Sequence, residues 1–107
     1  MSEYDDRLRI VPQFRPEEYD GVRRLMFGRL ERRLSRWRPE KVELELSIKE
    51  RDTDSQRTVL ECWIAGLPKL VATSNESDVD KAVVEVRDDL VRQINKHQEK
   101  KETARNR

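Results

Sequence analysis

From Lys41 to Lys49 the chain reads KVELELSIK, which sets Val42, Leu44, Leu46 and Ile48 on one side and Glu43, Glu45 and Ser47 on the other. Successive side chains of a strand point to opposite faces, so this alternation predicts a strand with one covered and one wet face. After a polar turn over Glu50 to Ser55, RTVLECWIAG carries the β-branched and aromatic residues that favour a second strand. Gly66, Leu67 and Pro68 supply a reversal, and Lys69 to Ser74 a third, shorter strand. Near the start, Leu8, Ile10 and Val11 predict a short strand that Pro12 interrupts or confines to an edge.

Two other segments have a helical period. Pro16, Glu17 and Glu18 form a helix start, because proline suits the first turn and carboxylates suit the positive end of the dipole. This helix is predicted to run to about Trp37, before Pro39, with Val22, Met26, Phe27, Leu30, Leu34 and Trp37 in one arc and Arg29, Arg32 and Arg36 on a flank. Gly21 and Gly28 each weaken it by about 1 kcal/mol relative to alanine, a cost that close packing against a sheet would offset. The second helix is predicted over Ser77 to Lys100. Val79, Ala82, Val83, Val86, Leu90 and Ile94 form its buried stripe, and Arg92, Lys96 and Lys100 a separate basic row at steps of four. Ser77 or Asp78 caps it. The order β-α-β-β-β-α predicts an α+β fold, a four-stranded sheet with two amphipathic helices packed on one face.

With 107 residues and 35% hydrophobic content the chain supplies one core, so residues 1–107 are expected to form a single domain, disordered at residues 1–6 and about 101–107. Charged residues make up 42%, far above the roughly 25% of an average domain, yet 23 Lys and Arg nearly cancel 22 Asp and Glu. The distribution is more telling than the total. Between Arg23 and Arg38, seven arginines face only Glu31, residues 41–90 are net acidic, and residues 91–107 are basic again. Clustered arginine in a nearly neutral chain points to a local anionic partner such as phosphate backbone. Cys62 is the only cysteine, which rules out an intrachain disulfide and suits a reducing compartment. No apolar run approaches the roughly 18 residues of a membrane span, and the first residues do not read as a signal peptide, so a cytoplasmic location is expected. Neither a cofactor nor a metal is expected, nor a membrane or small-molecule partner, and the free protein is expected to be a monomer.

The element order and the last helix together resemble the ribosome hibernation-promoting factor family, also called ribosome-associated inhibitors or sigma 54 modulation proteins. Asp78, Val79, Ala82, Val83, Asp88, Leu90, Arg92, Gln93, Ile94, Lys96, His97 and Lys100 follow that family's last helix without a gap. Val71 to Ser74 look like its last strand, and Phe27, Gly28, Arg29, Leu30 and Glu31 resemble a run of its first helix. The chain departs from the pattern at Asp80, where tyrosine is usual, at Val84, at Gln98, and at Asp89, which reverses a charge on the helix expected to meet RNA. The resemblance implies a stress-response translation inhibitor that binds ribosomal RNA of the small subunit near the decoding channel, with Arg29, Arg32, Arg36, Arg92, Lys96 and Lys100 as its contacts. It also implies a short form, occupying single ribosomes without a dimerising domain of its own.

Each signal has a plainer reading. Basic rows on helices are often solvated faces. Trp37 and Trp63 are assigned to core packing in preference to stacking on bases, Cys62 to a buried strand position, and His97 to a partly buried place without chemistry. No carboxylate pair, nucleophile or glycine-rich phosphate loop marks an enzyme. The alternative is a non-enzymatic RNA- or protein-binding module of the same fold that has lost ribosome binding, with Glu43, Glu45 and Glu61 on the acidic strand face available to a protein. Pairing of the arginine flank with Asp or Glu would favour it.

Overall fold

A computed structural model of the chain describes residues 2–105, with side chains described through Gln98. Strands β1 (Leu8–Ile10), β2 (Val42–Lys49), β3 (Arg57–Ile64) and β4 (Leu70–Ser74) lie in that order across one sheet, β1 parallel to β2 and the others antiparallel. Helix α1 (Tyr19–Leu34) connects the parallel pair, and α2 (Val79–Arg105) follows β4. This is the expected α+β order.

The alternation of β2 decides which face is covered. Val42, Leu44, Leu46 and Ile48 are buried, as are Leu60, Cys62 and Ile64 of β3 and Leu70 and Ala72 of β4. Against them lie Val22, Met26, Phe27, Leu30 and Leu34 of α1 and Val83, Val86, Leu90, Val91 and Ile94 of α2, in one core. Burying side chains of this size favours folding by about 1.5–3 kcal/mol each. The opposite face of the sheet carries no helix.

Several details differ from the sequence expectation. Helix α1 stops at Leu34, short of Trp37, because Ser35 Oγ donates to the Arg32 carbonyl (2.7 Å) and Arg38 is extended before Pro39. Helix α2 continues past Lys100 to Arg105, with Asp78 Oδ1 accepting the Lys81 N–H (3.1 Å) as its cap. Gly21 and Gly28 do not mark close packing: both are exposed, and a Cβ at either would meet nothing within 4 Å. Tyr4, expected in a loose start, is buried at 3% exposure. Its hydroxyl donates to the carbonyls of Leu34 (2.8 Å), the last residue of α1, and Trp37 (2.7 Å), just beyond it, sharing one proton between them.

Two side chains tie the β2–β3 turn to the rest of the molecule. Glu50 (φ 52°) and Asp52 (φ 68°) are left-handed, and the turn is held by buried Gln56, whose Oε1 accepts the Asp52 N–H (2.9 Å). Gln56 Nε2 donates to the carbonyls of Glu76 (3.2 Å) and Ser77 (3.1 Å), just before α2. Between the two left-handed residues, Arg51 reaches across to the start of α1. Its guanidinium makes a two-pronged contact with the Glu18 carboxylate (2.9 and 2.7 Å) and also donates to the Gln13 carbonyl (2.9 Å). Those hydrogen bonds from Arg51 hold the Glu18 carboxyl down to about 2 from an ordinary 4.5.

Glu18 contributes stability that is fully present above pH 4.5 and lost as pH falls toward 2. Glu18→Gln is therefore expected to cost about 2 kcal/mol at neutral pH, read as a lowered Tm, and the gap from wild type should close when the melts are repeated near pH 2. Gly21→Ala should raise stability by up to about 1 kcal/mol, since the helix gains and nothing obstructs the new methyl.

Candidate nucleic-acid interface

Packing one stripe of each helix on the sheet sends the remaining side chains outward, and among these are the predicted basic rows. Arg29 and Arg32 are exposed on α1 and Arg92 and Lys96 on α2, whereas Arg36, expected on the first helix, is exposed in the turn that follows it because α1 ends at Leu34. Lys100 lies within α2, but its side chain falls outside the described residues. Both rows thus belong to the helix layer, though not to one unbroken patch. Arg29 faces the seam between the helices, where its Nη1 lies 3.6 Å from Asp88 Oδ1. Arg92 and Lys96 belong to the flank of α2 toward β4, where Gln93 Nε2 donates to the Val71 carbonyl (2.9 Å).

Asp88 stands between the rows and Asp89 within the second one, and they take part in different contacts. Asp88 accepts from Arg87 Nε (3.0 Å) and Nη2 (2.9 Å), while Arg87 Nη1 donates to the Leu25 carbonyl of α1 (2.8 Å). With its side chain only 14% exposed, Arg87 is a clamp between the helices and not part of an outer surface. Sequence reading passed over it. The signal was its place midway between Val83 and Val91, four residues from each, in a row that faces the seam.

Asp89, the charge reversal within the basic row, accepts from Gln93 Nε2 (3.1 Å) and Arg92 Nη2 (3.5 Å). Through Gln93 it helps fasten α2 to the edge strand. Arg29 and Arg92 are each paired with a carboxylate, but both remain well exposed (64% and 71%). Exposed pairs of this kind are worth about 0–1 kcal/mol, so a phosphate could replace either carboxylate at small cost. Arg32 and Lys96 make no ion pair among the described residues, whereas Arg36 is engaged within the fold. Asp80 is exposed in the first turn of α2, where a carboxylate suits the helix dipole.

The uncovered sheet face has a different character. Arg7 pairs with Glu43 (3.3 Å), Arg9 with Glu45 (3.2 Å) and Lys69 with Glu61, while Lys49 and Arg57, opposite each other on β2 and β3, are exposed on that face as well. Trp63 is not in the core. It stands on this face at 38% exposure with Lys69 Nζ 5.4 Å from its ring centroid, close to Val71 at 44%. Strand parity explains why, since Trp63 shares its side of β3 with Glu61 and Arg57. Trp37 is half-buried against the core, and burial pushes the Cys62 thiol up to about 12, as fits an inert strand position. Among the described residues no group of three or more His, Cys, Asp or Glu is placed to hold a metal, and no helix is long and apolar enough to cross a membrane.

These contacts separate structural from surface charge. Arg87→Met should cost about 1–3 kcal/mol, because it removes the hydrogen bonds that join the Leu25 carbonyl of α1 to Asp88 of α2. Arg92→Gln should change stability by no more than about 0.5 kcal/mol. Thermal melts of the two variants, run in parallel, check the distinction.

No family model matches the chain, and no curated protein is significantly similar to it. Among solved structures it is similar to the N-terminal domain of Protein Y from Thermus thermophilus. The two share 16% identity, with a TM-score of 0.56, over 91% of this chain and 99% of that one. The likeness is one of fold.

Proposed function

We propose that this protein is a cytoplasmic, non-enzymatic ribosome-associated factor that binds ribosomal RNA of the small subunit near the decoding channel and inhibits translation there. What carries the reading is the agreement of two separate likenesses. The last helix follows the hibernation-factor pattern without a gap, and the fold is similar over 91% of the chain to the N-terminal domain of Protein Y. The contacts assigned are Arg29, Arg32, Arg36, Arg92, Lys96 and Lys100.

The physical chemistry supports phosphate contact over base reading. Guanidinium forks match phosphate oxygens in paired geometry, and basic groups spread over two helices suit the irregular backbone of a folded RNA. Trp63, the one exposed aromatic side chain among the described residues, stands on the opposite side of the sheet from the basic rows. The alternative, a module of the same fold without ribosome binding, is favoured by one observation: Asp88 and Asp89 already pair with Arg29 and Arg92. The small worth of those exposed pairs is the reason for preferring the ribosomal reading.

On this reading the purified protein should sediment with small subunits at low salt. The association should weaken steeply as salt rises, by a slope that counts the phosphates contacted. Doubling the test with Arg92→Glu/Lys96→Glu should abolish co-sedimentation while leaving the far-ultraviolet circular dichroism and Tm near those of wild type. Wild-type protein left at the top of a low-salt gradient would refute the proposal.

A further inference from the structure

Where the N-terminal segment crosses the end of α1, the surface opens into a cleft of about 800 Å³, within the roughly 300–1,000 Å³ range of small-ligand sites. Its apolar part comes from aromatic rings. Tyr4 and Phe27 are stacked with centroids 6.4 Å apart and buried, and the indole of Trp37 is half-buried beside them. Arg32 and Arg38 line the same cleft. Arg32 has no ion pair among the described residues, and Arg38 meets only Glu40, loosely at 3.7 Å and 82% exposed. At the negative end of α1, which would repel an anion there, the Leu34 carbonyl accepts from the Tyr4 hydroxyl.

We infer that this cleft binds one nucleoside phosphate, with the base against Trp37 and the phosphate on Arg32 and Arg38. Three features select that chemistry. A flat aromatic wall suits a base, whose π-face stacks on indole whatever its identity. Guanidinium groups suit a phosphate. Glu3 and Glu31, which also line the cleft, suit the hydroxyl and amine donors of a nucleoside and disfavour a second or third phosphate. The ligand is thus a free mononucleotide or an unpaired nucleotide presented by an RNA. The inference meets the ribosomal reading at Arg32 and Arg36, which line the cleft and are both among the contacts assigned above.

The fluorescence of Trp37 tests it. In a Trp63→Phe background Trp37 is the only tryptophan, and removing a side chain that stands on the open sheet face leaves the core intact. Titration with AMP, single-stranded oligoadenylate, duplex RNA and inorganic phosphate should quench Trp37 with a nucleotide or the single strand and not with phosphate or duplex. Quenching by AMP identifies a free nucleotide as sufficient, and quenching by the oligonucleotide alone identifies an RNA-borne one. Arg38→Ala should weaken the binding about tenfold, the loss of roughly one charge-assisted contact. Gly28→Leu should block it by placing a side chain at the cleft wall, and since leucine is the better helix former, unfolding would not account for the loss. No quenching by any nucleotide, or equal quenching by phosphate alone, would overturn the inference. Small-subunit co-sedimentation of the same wild-type preparation is read separately, so failure of the ribosomal reading and failure of the cleft are told apart.

Discussion

The architecture follows from a sheet that is apolar on one face only. With Val42, Leu44, Leu46, Ile48, Leu60, Cys62 and Ile64 all on one side, two helices must cover that side, and each can spare only a stripe for the purpose. Everything else on those helices is turned outward or into the seam between them. A chain that is 42% charged thereby sorts its arginines by position. Arg87, in the seam, becomes a clamp, while Arg32 and Lys96, one step farther round their helices, are left for a partner.

The same constraint leaves the second sheet face uncovered, and the chain deals with it by self-pairing. Arg7, Arg9 and Lys69 each take a glutamate from the neighbouring strand, and Lys49 and Arg57 stand beside them on the same face. On the helices Arg29 and Arg92 are paired with aspartates, whereas Arg32 and Lys96 make no ion pair among the described residues. The placement of these groups, more than the net charge of +1, bears on how the molecule meets an anionic surface.

Much of this was legible because short-range period decides it. The alternation of β2 and the stripe of α2 are properties of eight- and twenty-residue windows, and a one-residue slip would put every core side chain in water. What was not legible depends on partners distant in sequence. Tyr4 is ordered by carbonyls of Leu34 and Trp37, Arg51 by Glu18, and Gln56 by Glu76 and Ser77, none of which a local pattern announces. Trp63 is a different failure, since residue type was weighed above strand parity although Glu61 two positions earlier marked the wet side. For the site, the basic rows were readable as rows. The place of Asp88 between them was not, because it depends on how the two helices meet.

The central claim is that the helix layer, not the open sheet face, meets the ribosome. Hydroxyl-radical footprinting of the protein bound to small subunits tests it most directly, since Trp63 and Val71 report on one side and Leu25 and Val84 on the other. The account predicts protection of the two helices around Arg29 to Arg36 and Arg92 to Lys96, with Trp63 oxidised as readily as in the free protein. Protection confined to Trp63 and Val71 would contradict it.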